Sequence, residues 1–141
     1  GVVPAKIYNN LFDQNRLDRL QLLGYFLANK IELIEDGTVA LAHLTEDELA
    51  QYNVVTGDTE GFVNYGLGIK GVQLSALIID RGYLVKMSFR STDVFPCNEF
   101  SAKYFNGGGH KNAAGGASEE GLKKTIEKFK ESIKNYRQHL G

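Results

Sequence analysis

The chain has 141 residues, 43% hydrophobic and 23% charged, which suits one ordinary domain with a real core and excludes the disordered, collagen-like and disulfide-dense classes. The net charge of −1 hides an uneven spread: residues 1–68 carry four basic and ten acidic side chains, residues 69–141 twelve basic and seven acidic, so an anionic ligand favours the second half. A lone cysteine, Cys97, excludes an internal disulfide and a thiolate zinc cluster, and no apolar run nears the roughly 18 residues that span a membrane.

In chain order, Pro4 suits a first helical turn, with Ile7, Leu11 and Phe12 following at helical spacing. A second helix is expected from Arg16 to about Asn29, with Leu17, Leu20, Leu23, Phe26 and Leu27 as its apolar stripe. Ile31–Glu35 and Thr38–Leu44 then flank Asp36-Gly37, a two-residue hairpin turn signal. Thr45-Glu46-Asp47-Glu48 reads as a capping box opening a short helix to about Tyr52. After a loop over 53–58, a short helix is expected over Thr59–Tyr65.

Two strands, Gly71–Asp80 and Tyr83–Arg90, are joined at Arg81-Gly82 and rich in Val, Leu, Ile and Phe. Ser91–Pro96 reads as a loop, Asn98 as the cap of a helix to about Phe105, and Gly107–Gly116 as a glycine-rich loop. A last helix begins near Ser118, with Leu122, Ile126, Phe129, Ile133 and Tyr136 on its apolar side. The pattern predicts a single α/β domain with a mixed, mostly antiparallel central sheet covered by helices. With no leader of basic then apolar residues at its start, the chain is expected to be cytoplasmic.

The most informative segment is Gly107 to Gly116. Five of its ten residues are glycine and two are alanine, which lets backbone lie against a ligand and lets successive amides form an anion-binding nest. His110 and Lys111 add donors beside it; the bland alternative is a flexible loop. Arg90, at a predicted strand end, suits a two-pronged grip on phosphate or carboxylate, with Ser91 as a further donor, against the alternative of a solvated edge arginine. Asn98 is first a helix cap and second a ligand contact. His43 and His139 read as structural or solvated, Cys97 as a small semi-buried residue, and Phe89 and Tyr104 as core rather than as stacking platforms for a base. There is no Asp-x-Asp, no Asp-His-His, no histidine pair at ligand spacing, no Walker loop and no Gly-x-Ser-x-Gly elbow, so neither catalytic nor metal residues are assigned in this chain.

Ser88-Phe89-Arg90-Ser91, then Asn98, then Gly107-Gly108-Gly109-His110 and Ala113-Ala114-Gly115, resembles the C-terminal DHH-associated domain of DHH-family phosphoesterases of the nanoRNase and pAp-phosphatase type, and more distantly RecJ-like exonucleases. The resemblance runs from about Leu17 to Ser118, with Arg16–Leu20 looking like the segment that leaves the family's interdomain linker. It implies residues 1–30 as a helical segment after that linker and 31–141 as the substrate-binding domain, one compact unit together. It further implies an N-terminal DHH domain that holds manganese and performs the hydrolysis, while this chain holds the substrate. Arg90 and Ser91 would grip a terminal phosphate, Gly107, Gly108 and Gly109 would offer backbone amides, His110 would face the scissile phosphate, and Asn98 would touch ligand. Implied substrates are short oligoribonucleotides, pAp, or linear and cyclic dinucleotides, with polyphosphate a further class because some relatives carry that name. Such enzymes can form homodimers. The parent would be a hydrolase, and this chain alone would not.

Two rival readings stay open. One is a stand-alone nucleotide- or RNA-binding module, like the related domain of alanyl-tRNA synthetase. The other is a structural or dimerisation domain whose glycine loop merely packs.

Overall fold

A computed structural model describes residues 16–141, so the helix expected after Pro4 lies outside the described residues. The described elements are α1 (Leu17–Asn29), β1 (Ile31–Ile34), β2 (Val39–Leu44), α2 (Glu46–Gln51), α3 (Phe62–Leu67), β3 (Leu74–Asp80), β4 (Val85–Ser91), α4 (Cys97–Tyr104), β5 (Gly108–His110), β6 (Ala113–Ser118) and α5 (Leu122–Ile133), which runs on into a 3-10 helix, Lys134–His139. The strands form one open six-stranded sheet in the order β1-β2-β3-β4-β6-β5. Only β2 and β3 run parallel, and every other neighbouring pair is antiparallel. This is the α/β domain with a mixed, mostly antiparallel sheet that the pattern predicts.

Each face of the sheet has its own core. On the first face α4, α5 and the 3-10 helix bring Phe95, Phe100, Phe105, Phe129, Ile133 and Tyr136 against Val39, Leu41, Ile78, Val85, Met87 and Phe89. Leu122 and Ile126 pack at its margin, so the whole stripe expected on the last helix is used. On the second face α1 and α3 press Leu22, Phe26, Phe62 and Val63 onto Ala42, Leu44, Leu77 and Ile79. The Phe26 and Phe62 rings meet at 5.0 Å. Among the described residues, the second face is covered mainly over β1, β2 and β3, with α3 reaching the edge of β4, and the strands record the difference. β3 is buried along almost its whole length, as a strand under helices on both sides must be, whereas β4 alternates buried and accessible residues.

Several local expectations hold. Thr45 accepts from the Glu48 amide at 3.1 Å and the Glu48 carboxylate accepts from the Thr45 amide at 2.9 Å, completing the capping box. Others need correction. The turn between β1 and β2 takes four residues rather than two, because Glu35 and Asp36 join Gly37 at positive φ. In α1 the expected Phe26 and Leu23 do pack inward, joined by Leu22, but Leu17 is 68% exposed and Leu20 and Leu27 are exposed too, so the inward face is narrower than the expected stripe and shifted from it. The Thr59–Tyr65 helix starts later, at Phe62, and the last helix starts at Leu122, after Gly121 at φ 85° turns the chain out of β6.

The largest correction concerns Gly107–Gly116, which is a β-hairpin, β5 and β6 joined by Lys111-Asn112, and not a loop. Glycine is depleted in strands, but here packing asks for it. A Cβ on Gly107 would collide with the Gly115 carbonyl and the Ser101 hydroxyl, and one on Gly116 would come within 2.9 Å of both Ser101 Oγ and Phe105 Cβ. Asn98 is the second correction. It sits inside α4, whose cap residue is Pro96 with no side-chain cap bond; the Cys97 amide instead donates to the Lys111 carbonyl at 2.6 Å.

Candidate functional site

β4, β6 and β5 are hydrogen-bonded in register, and directly opposed residues of such strands share a face. Arg90 opposes Ala113, and Ala113 opposes His110. The next row on the same face is Ser88, Gly115 and Gly108, and beyond it Lys86 faces Ala117. The middle strand β6 therefore offers this face only a methyl, a bare backbone and a methyl. The result is a trough: β6 is the floor, the polar side chains of β4 are one wall, and His110 stands across the floor from Arg90. Arg90 and His110 are two strands apart, about 10 Å between backbones, a gap that a phosphate group and its two sets of hydrogen bonds would fill. The opposite residues of β4 and β6, Phe89 and Ala114, belong to the first-face core.

Among the described residues, α3 borders β4 on this face and no helix packs there on β6 or β5. Beside the trough, over β3, β4 and the near edge of β6, lies a groove of about 440 Å³, lined by Arg81, Lys86, Ser88, Arg90, Gly115 and Gly116, by Leu77 and Ile79, and by the 57–61 loop. The loop is tied down by Asp58, which is buried, ion-paired with Arg16 at the start of α1, and accepts from the Val55 amide at 2.9 Å. Arg90 is half-buried, with Nη1 donating to the Phe89 carbonyl at 2.8 Å. Among the described residues, Arg81, Lys86 and Arg90 form no ion pair. Three cations without a carboxylate partner around one groove make it a place for an anion.

The remaining expected residues divide. Gly108 and His110 are exposed at the sheet edge, where a strand leaves a row of backbone groups unpaired. Gly108 has open space where a side chain would stand, whereas Gly107 and Gly109 are hemmed in, so packing alone accounts for those two. Ser91 is buried on the other face of β4; its hydroxyl donates to the Phe95 carbonyl at 2.7 Å and accepts from Asn112 Nδ2 at 3.2 Å. With the Ser91 amide on the Asn112 carbonyl at 3.0 Å and Asn112 Nδ2 on the Thr92 carbonyl at 2.6 Å, Ser91 fastens the hairpin tip that presents His110. Asn98 lies on α4, whose core residues face the opposite side of the sheet, so the structure does not bring it to the trough.

Phe89 is wholly buried, and Tyr104 packs against Phe100 and Tyr136 in the first-face core. Cys97 is buried with its thiol on Ser91 Oγ at 3.1 Å, and burial pushes its pKa up, which makes it inert. His43, half-buried on β2, has its pKa lowered by burial and by the Lys30 ammonium nearby. Among the described residues, no three of His, Cys, Asp and Glu stand close enough together to hold a metal ion. Lys86 is a groove residue that the sequence reading misses, and its signal is the strict alternation Val85-Lys86-Met87-Ser88-Phe89-Arg90, which marks a strand with one open polar face. Arg81, expected only as part of the junction between two strands, also lines the groove.

The DHHA1 domain family model matches residues 36–138. No curated protein sequence matches the chain. Among solved structures, an exopolyphosphatase-related protein from Bacteroides fragilis is 36% identical over 95% of the chain, with a TM-score of 0.86, and the chain spans only 39% of that protein's length. A pGpG-specific phosphodiesterase from Vibrio cholerae shares the fold at 15% identity and TM-score 0.62, over 87% of the chain and 40% of its own. The C-Ala domain of Aquifex aeolicus alanyl-tRNA synthetase shares it at 17% identity and TM-score 0.52, over 79% of the chain and 97% of that domain.

Proposed function

The chain belongs to the DHHA1 domain family, and from that premise we propose that it is the substrate-holding domain of a DHH-family phosphoesterase, with hydrolysis performed by an N-terminal DHH domain of the same protein. The ligand is a short oligoribonucleotide, pAp or a dinucleotide, held by a phosphate group between Arg90 and His110. The observation that carries this reading is the Arg90–Ala113–His110 row: two side chains able to donate to an anion, facing each other across a floor with no bulk on it. Gly108 adds accessible backbone at the same edge. The likeness to the exopolyphosphatase-related protein, over about two-fifths of that protein, supports a phosphoester-cleaving parent and leaves polyphosphate as a further substrate class. The manganese ions of such a parent would be held by that N-terminal domain, where they would activate the attacking water, while this chain's residues hold the substrate.

Two-dimensional amide NMR of the chain during addition of pApA, without metal, tests the reading. Shifts centred on Arg90, Gly108, His110 and Gly115 are expected. Shifts confined to other surfaces, or none at millimolar ligand, would refute it. The match over nearly the whole C-Ala domain keeps a second reading in play, a nucleotide- or RNA-binding module with no hydrolytic partner. The coding sequence upstream of residue 1 separates the two, since an Asp-His-His segment there selects the enzyme.

A further inference from the structure

The trough does not end at Arg90. Lys86 stands on the same face of β4, four residues earlier, exposed and opposite the small Ala117. Arg81 reaches the same end of the groove from the end of β3, with Nη2 3.4 Å from Thr59 Oγ1 on the loop wall. We propose that Lys86 and Arg81 form a second phosphate subsite, so that one ligand chain with at least two phosphate groups lies along β4. This rests on the phosphate reading of the Arg90 end.

Spacing carries the argument. Four strand residues separate the backbones of Lys86 and Arg90 by about 13 Å. The Arg90 guanidinium is held at its own end by the Phe89 carbonyl. A single phosphate at Arg90 therefore leaves Lys86 and Arg81 unused, while a chain one or two nucleotide units longer reaches them. Between the two ends the floor is Gly115, opposite Ser88, which lets a sugar-phosphate chain lie close to the sheet. Among the described residues, Glu60 is the one acidic side chain lining the groove. A carboxylate accepts hydrogen bonds from hydroxyls, which the sugars of a nucleotide chain carry and polyphosphate lacks, so the groove's chemistry favours nucleotides.

The test compares affinities of the chain for 5′-AMP, pApA, pApApA and tripolyphosphate by titration calorimetry, with Lys86→Ala, Arg81→Ala and Arg90→Ala variants. Lys86→Ala and Arg81→Ala are expected to weaken the longest oligonucleotide about tenfold each, the effect of losing a charge-assisted hydrogen bond, and to leave 5′-AMP unchanged. The Lys86 variant should also bind with a salt slope shallower by about 0.7, one contact fewer to a single strand. Arg90→Ala should weaken every ligand. Loss of 5′-AMP affinity in the Lys86 variant equal to the loss for pApApA would overturn the second subsite, as would no loss for either. If Arg90→Ala still weakens binding in those cases, the first phosphate site stands alone. If no ligand binds at millimolar concentration, both readings fall together. Lys86-dependent binding of tripolyphosphate as tight as that of pApApA would keep the subsite and assign it to polyphosphate.

Discussion

The second face of the sheet is built in two ways. Over β1, β2 and β3 it carries large apolar side chains beneath α1 and α3, and over β4, β6 and β5 it carries alanine, glycine, serine and cations without a carboxylate partner, bordered among the described residues only by α3 and the 57–61 loop. The first arrangement holds the fold together, because Leu22, Phe26 and Phe62 are removed from water almost completely. The second leaves sheet uncovered at little cost, because there is hardly any apolar surface on it to cover. A six-stranded sheet thus keeps one half of a face for stability and the other for a ligand. Mutations in the two halves should separate folding from binding.

The largest effect belongs to the covered half. Phe26→Ala should cost about 3–5 kcal/mol, the usual penalty for emptying a buried aromatic site, read as a lower urea midpoint. On the open half, Lys86→Ala should move stability by no more than about 0.5 kcal/mol, as a solvated surface substitution does. Equal losses from the two variants would break the division proposed here.

The hairpin offers a finer contrast. Gly107→Ala forces a methyl into the Gly115 carbonyl and the Ser101 hydroxyl, so it should cost about 1–3 kcal/mol as other overpacked sites do. Gly108→Ala meets open space and should leave the urea midpoint nearly unchanged while weakening pApA. If both variants unfold the hairpin alike, Gly108 is there for packing and has no part in the site.

Arg90→Ala and His110→Ala should each weaken pApA by about 1–3 kcal/mol, the range for hydrogen bonds to a charged group, with unchanged thermal unfolding. Wild-type affinity in both variants would remove the phosphate grip.

How far these regions could be read in advance follows from what fixes them. The capping box at Thr45 and Glu48 and the stripe from Leu122 to Tyr136 are local or strictly periodic, and both were legible. The hairpin was hidden because Gly107 and Gly116 are demanded by Ser101 and Phe105, which approach only once α4 has docked. Asn98 was misread as a cap for a similar reason, since the amide that needed a partner finds the Lys111 carbonyl from across the chain. α1 has leucines on more than one side, and the partners that take Leu22 and Phe26 inward, Phe62 among them, lie on elements distant in sequence. For the candidate site, Arg90 and His110 stand out in the sequence by residue type, and the register that brings them to one face does not. Ser91 looked like a ligand donor until the buried Phe95 carbonyl claimed its hydroxyl.

A modest, pH-dependent effect lies at the rim of the covered half, where Lys30, Tyr25 and Glu48 tie α1 to α2. Lys30 Nζ sits 2.9 Å from Glu48 Oε1, and the Tyr25 hydroxyl donates to Glu48 Oε2. Burial pushes the Glu48 carboxyl upward, but the Tyr25 hydroxyl, the Thr45 amide and Lys30 together outweigh it and hold the group down at about 2. A carboxyl held below its unfolded value of 4.5 contributes stability that is complete above pH 4.5 and lost as the pH falls towards 2. Glu48→Gln isolates that charge, because glutamine still accepts from the Thr45 amide as the capping box requires and its amide can donate to the Tyr25 oxygen. The variant should lose on the order of 1 kcal/mol at neutral pH. Its stability should also fall less steeply than that of the wild type as the pH is lowered from 4.5, measured by urea unfolding at a series of pH values. Parallel pH profiles would mean that the Glu48 charge adds nothing the capping hydrogen bond does not already supply, and the join between α1 and α2 would then rest on the stacked rings of Tyr25 and Tyr52.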